Sequence, residues 1–472
     1  MNRSIVVHGH FYQPPRENPW TGIVEEEPTA APFHDWNQRI ASECYAPVAN
    51  ARVLGRDGNV EYRDNLYESL SFDVGPTLFE WMEAEAPAVY ASILDADKAS
   101  VARLGRGNAV AMPYHHTILP LATTRDKVTE IRWGIADFRR RFGREPEGFW
   151  LPETAVDEET LDVLAGEAIS FTILAPHQVA AVDPRGLPLR YRASNGRDIA
   201  LFTYDSVLSA DIAFGRLIRD GALLADHLDP DDEQVLVSAA MDGETFGHHH
   251  RFGEMALARA FRFIEERDNV RIENFASFLA KHPPEIEASL ISPSSWSCAH
   301  GVERWRSNCG CRLTSEIETS QEWRTPLRAS LDWLAGELHE IYERDGAEIF
   351  TTDPWAIRNA FGDVIGSSEA KIFTFIAGSI TNRNDGGRLE RAAELLAMEE
   401  NALRMFTSCA WFFDDLARIE TIQVLKYAAF AMELSGDGER LEKEFLDRIG
   451  YAKSNDPEEG TALDIWRTKV MA

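Results

Sequence analysis

Short apolar runs alternate with longer segments of helical period through roughly the first 280 residues. "SIVVHGH" reads as a first strand ending at His8 to His10, followed by a polar, Pro-rich loop from Tyr12 to about Pro47. "PTLFEWMEAEAPAVYASIL" has a helical period, "NAVAMP" reads as a strand, and "TRDKVTEIRWGIADFRRRFG" as a helix with a threonine at its N-cap. "EGFWLPE" and "SFTILAP" are strands with the helix "DEETLDVLAGEA" between them. "LRYRASNGRDIALFTYD" predicts a hairpin turning at Asn195-Gly196. A helix near Ala210 to His227 leads to "QVLVSAAMDGE", the most buried-looking strand, and "EMALARAFRFIEER" with "VRIEN" adds one more helix and strand.

About seven β/α repeats of this kind predict an α/β chain with a parallel β/α barrel over residues 1–285. A doubly wound open sheet is the alternative. The first βα turn has no glycine-rich phosphate loop, which weakens a dinucleotide reading. After His282-Pro283-Pro284 the character changes. A loop rich in Ser, Trp and Cys runs to about Cys311, and helical periodicity dominates beyond it, as in "PLRASLDWLAGELHEIYE" and "RLERAAELLAMEENALRMF". Residues 286–472 are therefore read as that loop and a helical domain. The closing "TALDIWRTKVMA" is an amphipathic helical pattern without a stop signal, as expected if the chain is cut short at Ala472.

Composition narrows the partners. With 48 Lys and Arg against 77 Asp and Glu, the net charge of the 472 residues is −29. An extended nucleic-acid face and an anionic membrane surface are both disfavoured, because each needs a cationic surface. An uncharged substrate is compatible with this balance. Five cysteines are too few and too uneven for a disulfide framework. A signal peptide and a membrane span are not expected, so the location is read as cytoplasmic.

Active sites of β/α barrels lie at the C-terminal ends of the strands. Those ends carry His8 and His10, then His115 and His116 in "MPYHHTILPL", Trp150 and Glu153 in "FWLPE", and Asp242 and Glu244 in "MDGETFGHHH". Two carboxyl groups from different strands suit glycosidic bond chemistry, one attacking the anomeric carbon or activating water while the other protonates the leaving oxygen. Trp150 would offer a flat face to a sugar ring, and imidazoles would hydrogen-bond hydroxyls. Glu244 would share the face of Asp242 if the strand continues that far. The plainer reading of any one acid is a cap on the following helix.

"HGHFYQPP", "YHHTILPL", "GFWLPE" and "MDGETFG", in this order and spacing, resemble the sequence regions of glycoside hydrolase family 57, and "LSFDVGPTLFEWM" resembles its early helix region. The resemblance spans roughly residues 5–280. It implies an incomplete, seven-stranded β/α barrel followed by a helical region. It also implies retaining chemistry on α-glucans, as in amylases, 4-α-glucanotransferases and branching enzymes, with no cofactor. On this resemblance Glu153 matches the nucleophile and Asp242 the general acid/base. His10 and Gln13 match the first motif, and His116 matches a substrate-contacting histidine. His8, Trp150, Glu244 and Trp305 complete the candidate substrate contacts. Three departures mark a divergent subgroup: Phe11-Tyr12 inserted before Gln13-Pro14, Asn108 where an acid is common, and the segment "SWSCAHGVERWRSNCGC".

That segment sets Cys298-x-His300 near Cys309-x-Cys311, four residues of zinc-ligating type. The C-x-C spacing is tighter than the usual finger pair, so small buried thiols are the preferred reading and a metal site the alternative. A third reading brings Trp296, His300, Arg304 and Trp305 over the barrel mouth. His248, His249 and His250 are expected to be an exposed or capping run, since three adjacent side chains cannot face one centre. Two other function classes remain open at this level. One is a metal-dependent deacetylase or mannosidase recruiting His8, His10 and Asp242. The other is a glucan-binding protein without catalysis.

Overall fold

The structure, a computed structural model, describes residues 3–55, 57–229, 231, 233–313, 318–382 and 385–471, so Ala472 lies outside the described residues. Its strands are β1 (Arg3–Phe11), β2 (Ala51–Leu54), β3 (Val60–Asp64), β4 (Ser71–Val74), β5 (Gly148–Phe149), β6 (Phe171–Leu174), β7 (Leu189–Arg192), β8 (Asp198–Thr203), β9 (Leu236–Asp242), β10 (Val270–Ile272) and β11 (Ile286–Glu287). β1 is buried along both faces from Ser4 onward, as a central parallel strand must be, which is why "SIVVH" reads as a continuous run. It pairs in parallel with β9 from Ser4 to His10. It also pairs in parallel with β10 from Arg3 to Ile5 and with β4 from His8 to Phe11. A second sheet runs β11-β7-β8-β6-β5.

β7 and β8 form the expected antiparallel hairpin, with Gly196 at φ +80° in its turn. A left-handed residue is the reason the Asn-Gly signal is strong there. "NAVAMP" contributes two isolated parallel bridges, Phe72 to Ala109 and Ala111 to Phe149, where a full strand was expected. The Asp205 amide donates to the Ser238 carbonyl at 2.7 Å, joining the end of β8 to β9.

Other differences are local. The expected loop from Tyr12 to Pro47 contains a helical stretch from Trp36 to Val48, whose first turn is capped by Asp35. β2 and β3 pair antiparallel. The helical run after β4 is two helices, Pro76–Glu85 and Pro87–Leu104, because Pro87 cannot continue the first. The helix expected from Ala210 to His227 is likewise two, Ser206–Ala213 and Gly221–Leu228, each capped by an aspartate.

The chain forms two compact units. The first comprises residues 1–13, 26–112 and 138–292 and holds the sheets. The second comprises residues 14–25, 113–137 and 293–472. Its helices include Arg324–Ile349, Pro354–Phe361, Glu369–Ser379, Gly386–Arg404, Ile419–Leu434 and Gly438–Ile449. Whereas the sequence suggests one cut near residue 285, segments 14–25 and 113–137 group with the later residues. The buried Arg358 guanidinium explains part of this, bonding Asp126 at 2.9 Å and Glu399 at 2.5 Å inside the second unit. Among the described residues no helix is long and apolar enough to cross a membrane.

Candidate active site

Three neighbouring parallel strands set one row of side chains. His10 on β1 is in register with Asp73 on β4 and with Asp242 at the end of β9. His8, two residues earlier, shares the face of His10 because strand side chains alternate. Asp73 is wholly buried and accepts from both rings, His8 Nε2 at 3.0 Å and His10 Nδ1 at 2.7 Å. His8 Nδ1 lies 3.0 Å from Ser71 Oγ, so both of its nitrogens are engaged. Trp150 lies over the two imidazoles, with ring centroids 4.7 Å from His8 and 5.2 Å from His10. Trp150 is itself fully buried, so the face expected to hold a sugar is covered by histidine.

The two histidines carry different charge. Burial pushes the His8 pKa down against the pull of Asp73. Burial also opposes charge on His10, but Asp73, Asp242 and Glu244 together outweigh it and push its pKa up to about 9. His10 is thus the cation and His8 neutral, although they share one carboxylate partner. Asp73 in turn is held below the usual carboxylate range, its burial being outweighed by the two histidines.

Asp242 ends β9, and its side chain is open to water. The protein around it is nevertheless dense enough to push its pKa up to about 6; the His10 cation opposes that rise, and the carboxylates Glu153 and Asp73 add to it. Glu153 follows β5 in a tight turn, Pro152–Thr154, with φ 59° and ψ 19°. A left-handed non-glycine residue costs about 1–3 kcal/mol and persists only where its surroundings impose it. Buried Gln178 supplies part of that restraint, donating to the Thr154 carbonyl at 2.7 Å while accepting from the Ala175 amide at 2.8 Å.

The strand does not continue to Glu244. A 3-10 turn, Gly243–Phe246, begins after Asp242, and Glu244 turns inward to accept from the Tyr45 hydroxyl at 2.5 Å. Burial pushes its pKa up to about 7, with Asp242 adding to the rise and Tyr45 opposing it. Gly243 allows the turn to lie against the Phe11 ring, since a Cβ there would stand 2.3 Å from that ring.

His8, His10, Gln13, Trp150, Glu153, Asp242 and Glu244 all belong to the first unit, while His116 and Trp305 belong to the second. His116 is buried, with its Nδ1 2.6 Å from Ser408 Oγ. Trp305 is fully buried, which corrects the picture of an indole presented to a sugar. His248 and His250 take separate partners, Glu43 and the Ala213 carbonyl, as a run without a common centre would. Sequence reading missed Asp73 and Tyr45. Asp73 was legible in principle, because "SFDV" is another apolar run whose polar residue stands near its C-terminal end.

The family model described as "Glycosyl hydrolase family 57" matches residues 24–290, more than half of the chain. The chain belongs to glycosyl hydrolase family 57. A second model, described as "Domain of unknown function (DUF3536)", matches residues 320–472 of this family 57 member. An α-amylase of Pyrococcus horikoshii is 25% identical over 237 residues, 48% of this chain and 36% of that protein. A 4-α-glucanotransferase of Thermococcus litoralis is 23% identical over 236 residues, 47% of this chain and 35% of that protein. The chain thus spans about a third of the length of these curated relatives. In fold it is similar to an exo-type maltose-forming amylase from Pyrococcus sp. ST04, with TM-score 0.72, 16% identity, and coverage of 95% of this chain and 83% of that one. It is also similar to a family 57 branching enzyme from Pyrococcus horikoshii, with TM-score 0.55, 15% identity, and coverage of 95% and 94%. These likenesses establish an α/β fold with a helical C-terminal region.

Proposed function

We propose that this family 57 chain is a retaining glycoside hydrolase or transglycosylase that acts on α-glucans. The observation that carries the reading is the carboxyl pair. Asp242 has its pKa raised to about 6 and lies within electrostatic reach of a second carboxyl, Glu153, which stands on a strained turn. A general acid must hold its proton near the working pH, and a nucleophile must be fixed in place.

In the first step a Glu153 oxygen bonds to the anomeric carbon as the glycosidic C–O bond breaks, and Asp242 gives its proton to the departing oxygen. In the second, Asp242 takes a proton from water or from a sugar hydroxyl. That oxygen then attacks the anomeric carbon and releases Glu153, with net retention. His10 tunes Asp242, while Asp73 and Trp150 hold His10 in place. Gln13 and Glu244 are the substrate-contact candidates kept in this scheme. The working location is the cytoplasm, and the catalytic domain proposed over residues 1–285 has its compact body in residues 1–13, 26–112 and 138–292.

The barrel is proposed to be the incomplete seven-stranded one. Support comes from the succession β9, β1, β4, the Ala109 and Ala111 bridges, β5, β6 and β8, and from the Asp205 to Ser238 bond that leads back to β9. The state of His8 weighs against a metal-dependent deacetylase or mannosidase. His8 is bonded to Ser71 and Asp73, and among the described residues His8, His10 and Asp242 do not come together as a metal-sized group.

Product analysis on starch, glycogen and maltooligosaccharides tests the reading, with Glu153→Gln as control. New reducing ends indicate hydrolysis, and redistributed chain lengths without them indicate transfer. Binding without turnover of any of these glucans would instead assign the chain to non-catalytic glucan recognition.

A further inference from the structure

A second cluster of chemistry-bearing side chains lies in the other unit. Cys298, His300, Cys309 and Cys311 each offer one ligand atom, and these atoms all fall within 4.8 Å of one another. Cys311 Sγ is 3.8 Å from Cys298 Sγ and 3.6 Å from His300 Nδ1, and Cys298 Sγ is 4.0 Å from Cys309 Sγ. No pair among them is bonded as a disulfide. A tetrahedral zinc ion with Zn–S near 2.3 Å and Zn–N near 2.0–2.1 Å requires edges of roughly 3.8 Å between sulfurs and about 3.6 Å from sulfur to nitrogen. The two edges from Cys311 have those lengths, the Cys298–Cys309 edge is slightly longer at 4.0 Å, and all four atoms lie within 4.8 Å of one another.

We propose that Cys298, His300, Cys309 and Cys311 bind one structural zinc ion in a closed Cys3His site. Small buried thiols, the preferred sequence reading, would account for Cys298 alone. Cys309 and Cys311 are only half-buried and His300 is exposed, yet all three converge on it. The backbone is shaped for such a site. Gly310, between two of the ligands, has φ +81°, and Gly301, after the third, has φ +84° and passes so close to Pro293 that a Cβ would stand 2.7 Å from its carbonyl oxygen. The amides of His300 and Arg304 hydrogen-bond Cys298, and the amide of Ala299 hydrogen-bonds Cys311. Such outer donors stabilise thiolate ligands.

Charge is also balanced. Three thiolates and a divalent cation leave one net negative charge, and the buried Arg324 guanidinium, which donates to the Cys311 carbonyl at 2.9 Å, lies within electrostatic reach of Cys309 and Cys311. Four protein ligands leave no open coordination position, so the ion is structural rather than catalytic. Its task follows from where it sits. Residues 293–313 contain one short 3-10 turn, Glu303–Trp305, yet they hold Arg304 and Trp305 buried. A metal cross-link would restrain an irregular segment of that length.

The test uses the full chain purified without chelator. Elemental analysis is expected to find one zinc per chain, and the double variant Cys309→Ser/Cys311→Ser is expected to retain less than about a tenth of it. The cobalt-substituted wild-type protein should show thiolate-to-metal absorption, altered in His300→Ala. Titrating zinc out of the wild type should expose three additional reactive thiols, a readout that needs no variant to fold. The proposal is overturned if the wild type neither contains nor takes up zinc or cobalt. It is also overturned if the double variant keeps wild-type metal content, or if peptide mapping finds a disulfide among these cysteines in the protein as purified.

Discussion

His10 stands in register with Asp242 on the neighbouring parallel strand, and its positive charge restrains the proton affinity of a carboxyl that dense protein and two further carboxylates raise. The same imidazolium is held by Asp73 on its other side. Strand pairing thus lines up a carboxylate, a cation and a protonatable acid in one row.

This row predicts the alkaline limb of the pH profile. Asp242 must be protonated to act as an acid, so kcat/KM should fall as pH rises through about 6, approaching tenfold per pH unit. His10→Gln removes the charge that holds the Asp242 pKa down, so its alkaline limb should move to higher pH. A limb that stays in place in this variant would separate His10 from the tuning of Asp242.

Loss of either carboxyl should stop the chemistry without unfolding the chain. Glu153→Gln and Asp242→Asn are each expected to lower kcat by at least ~10². Circular dichroism and the thermal midpoint should remain close to the wild type. Activity near the wild-type level in Glu153→Gln would remove it from the mechanism.

Asp73→Asn should destabilise the first unit by roughly 3 kcal/mol, because it leaves a buried cation without its partner. The sign with pH follows from the two shifts. His10 is raised from 6.5 to about 9, so its contribution is complete below 6.5 and is lost as pH rises through 9. Asp73 is lowered, so its contribution is present above the ordinary aspartate range and is lost in acid. Urea midpoints should therefore differ most between wild type and variant near pH 6 and converge near pH 10.

Gly243→Ala would place a methyl 2.3 Å from the Phe11 ring. The turn that carries Asp242 and Glu244 has to shift to relieve that overlap, at a cost of about 1–3 kcal/mol. Lower thermal stability together with reduced kcat is the expected result. Wild-type kcat would mean that the turn tolerates the shift.

In the second unit, Arg358→Met should lower stability by about 3–5 kcal/mol, because Asp126 and Glu399 would be left buried without their shared cation. Adding Glu399→Gln to that variant should recover part of the loss. Denaturant midpoints of the single and double variants measure it.

Local chemistry was readable from the chain alone. Alternation and apolar runs placed His8, His10, Glu153 and Asp242 at strand ends, and Asn195-Gly196 marked its hairpin, because these signals depend on neighbours in sequence. The loop from Tyr12 to Pro47 was misread because its helical stretch widens to a π turn over Ala41–Tyr45 and carries Pro47 near its end, so no regular 3.6-residue period shows. What only the tertiary structure decided involves distant partners. Asp73 meets His10 across 63 positions, and Tyr45 meets Glu244 across 199. Glu153 takes a backbone conformation that its residue type disfavours. Trp150 turns its ring onto imidazoles, and four ligand-type side chains close to zinc-sized separations. Sequence pattern reports which face of an element is apolar. Which groups meet across that face, and in what charge state, depends on strand register and on the water that packing removes, and neither is encoded within one stretch of chain.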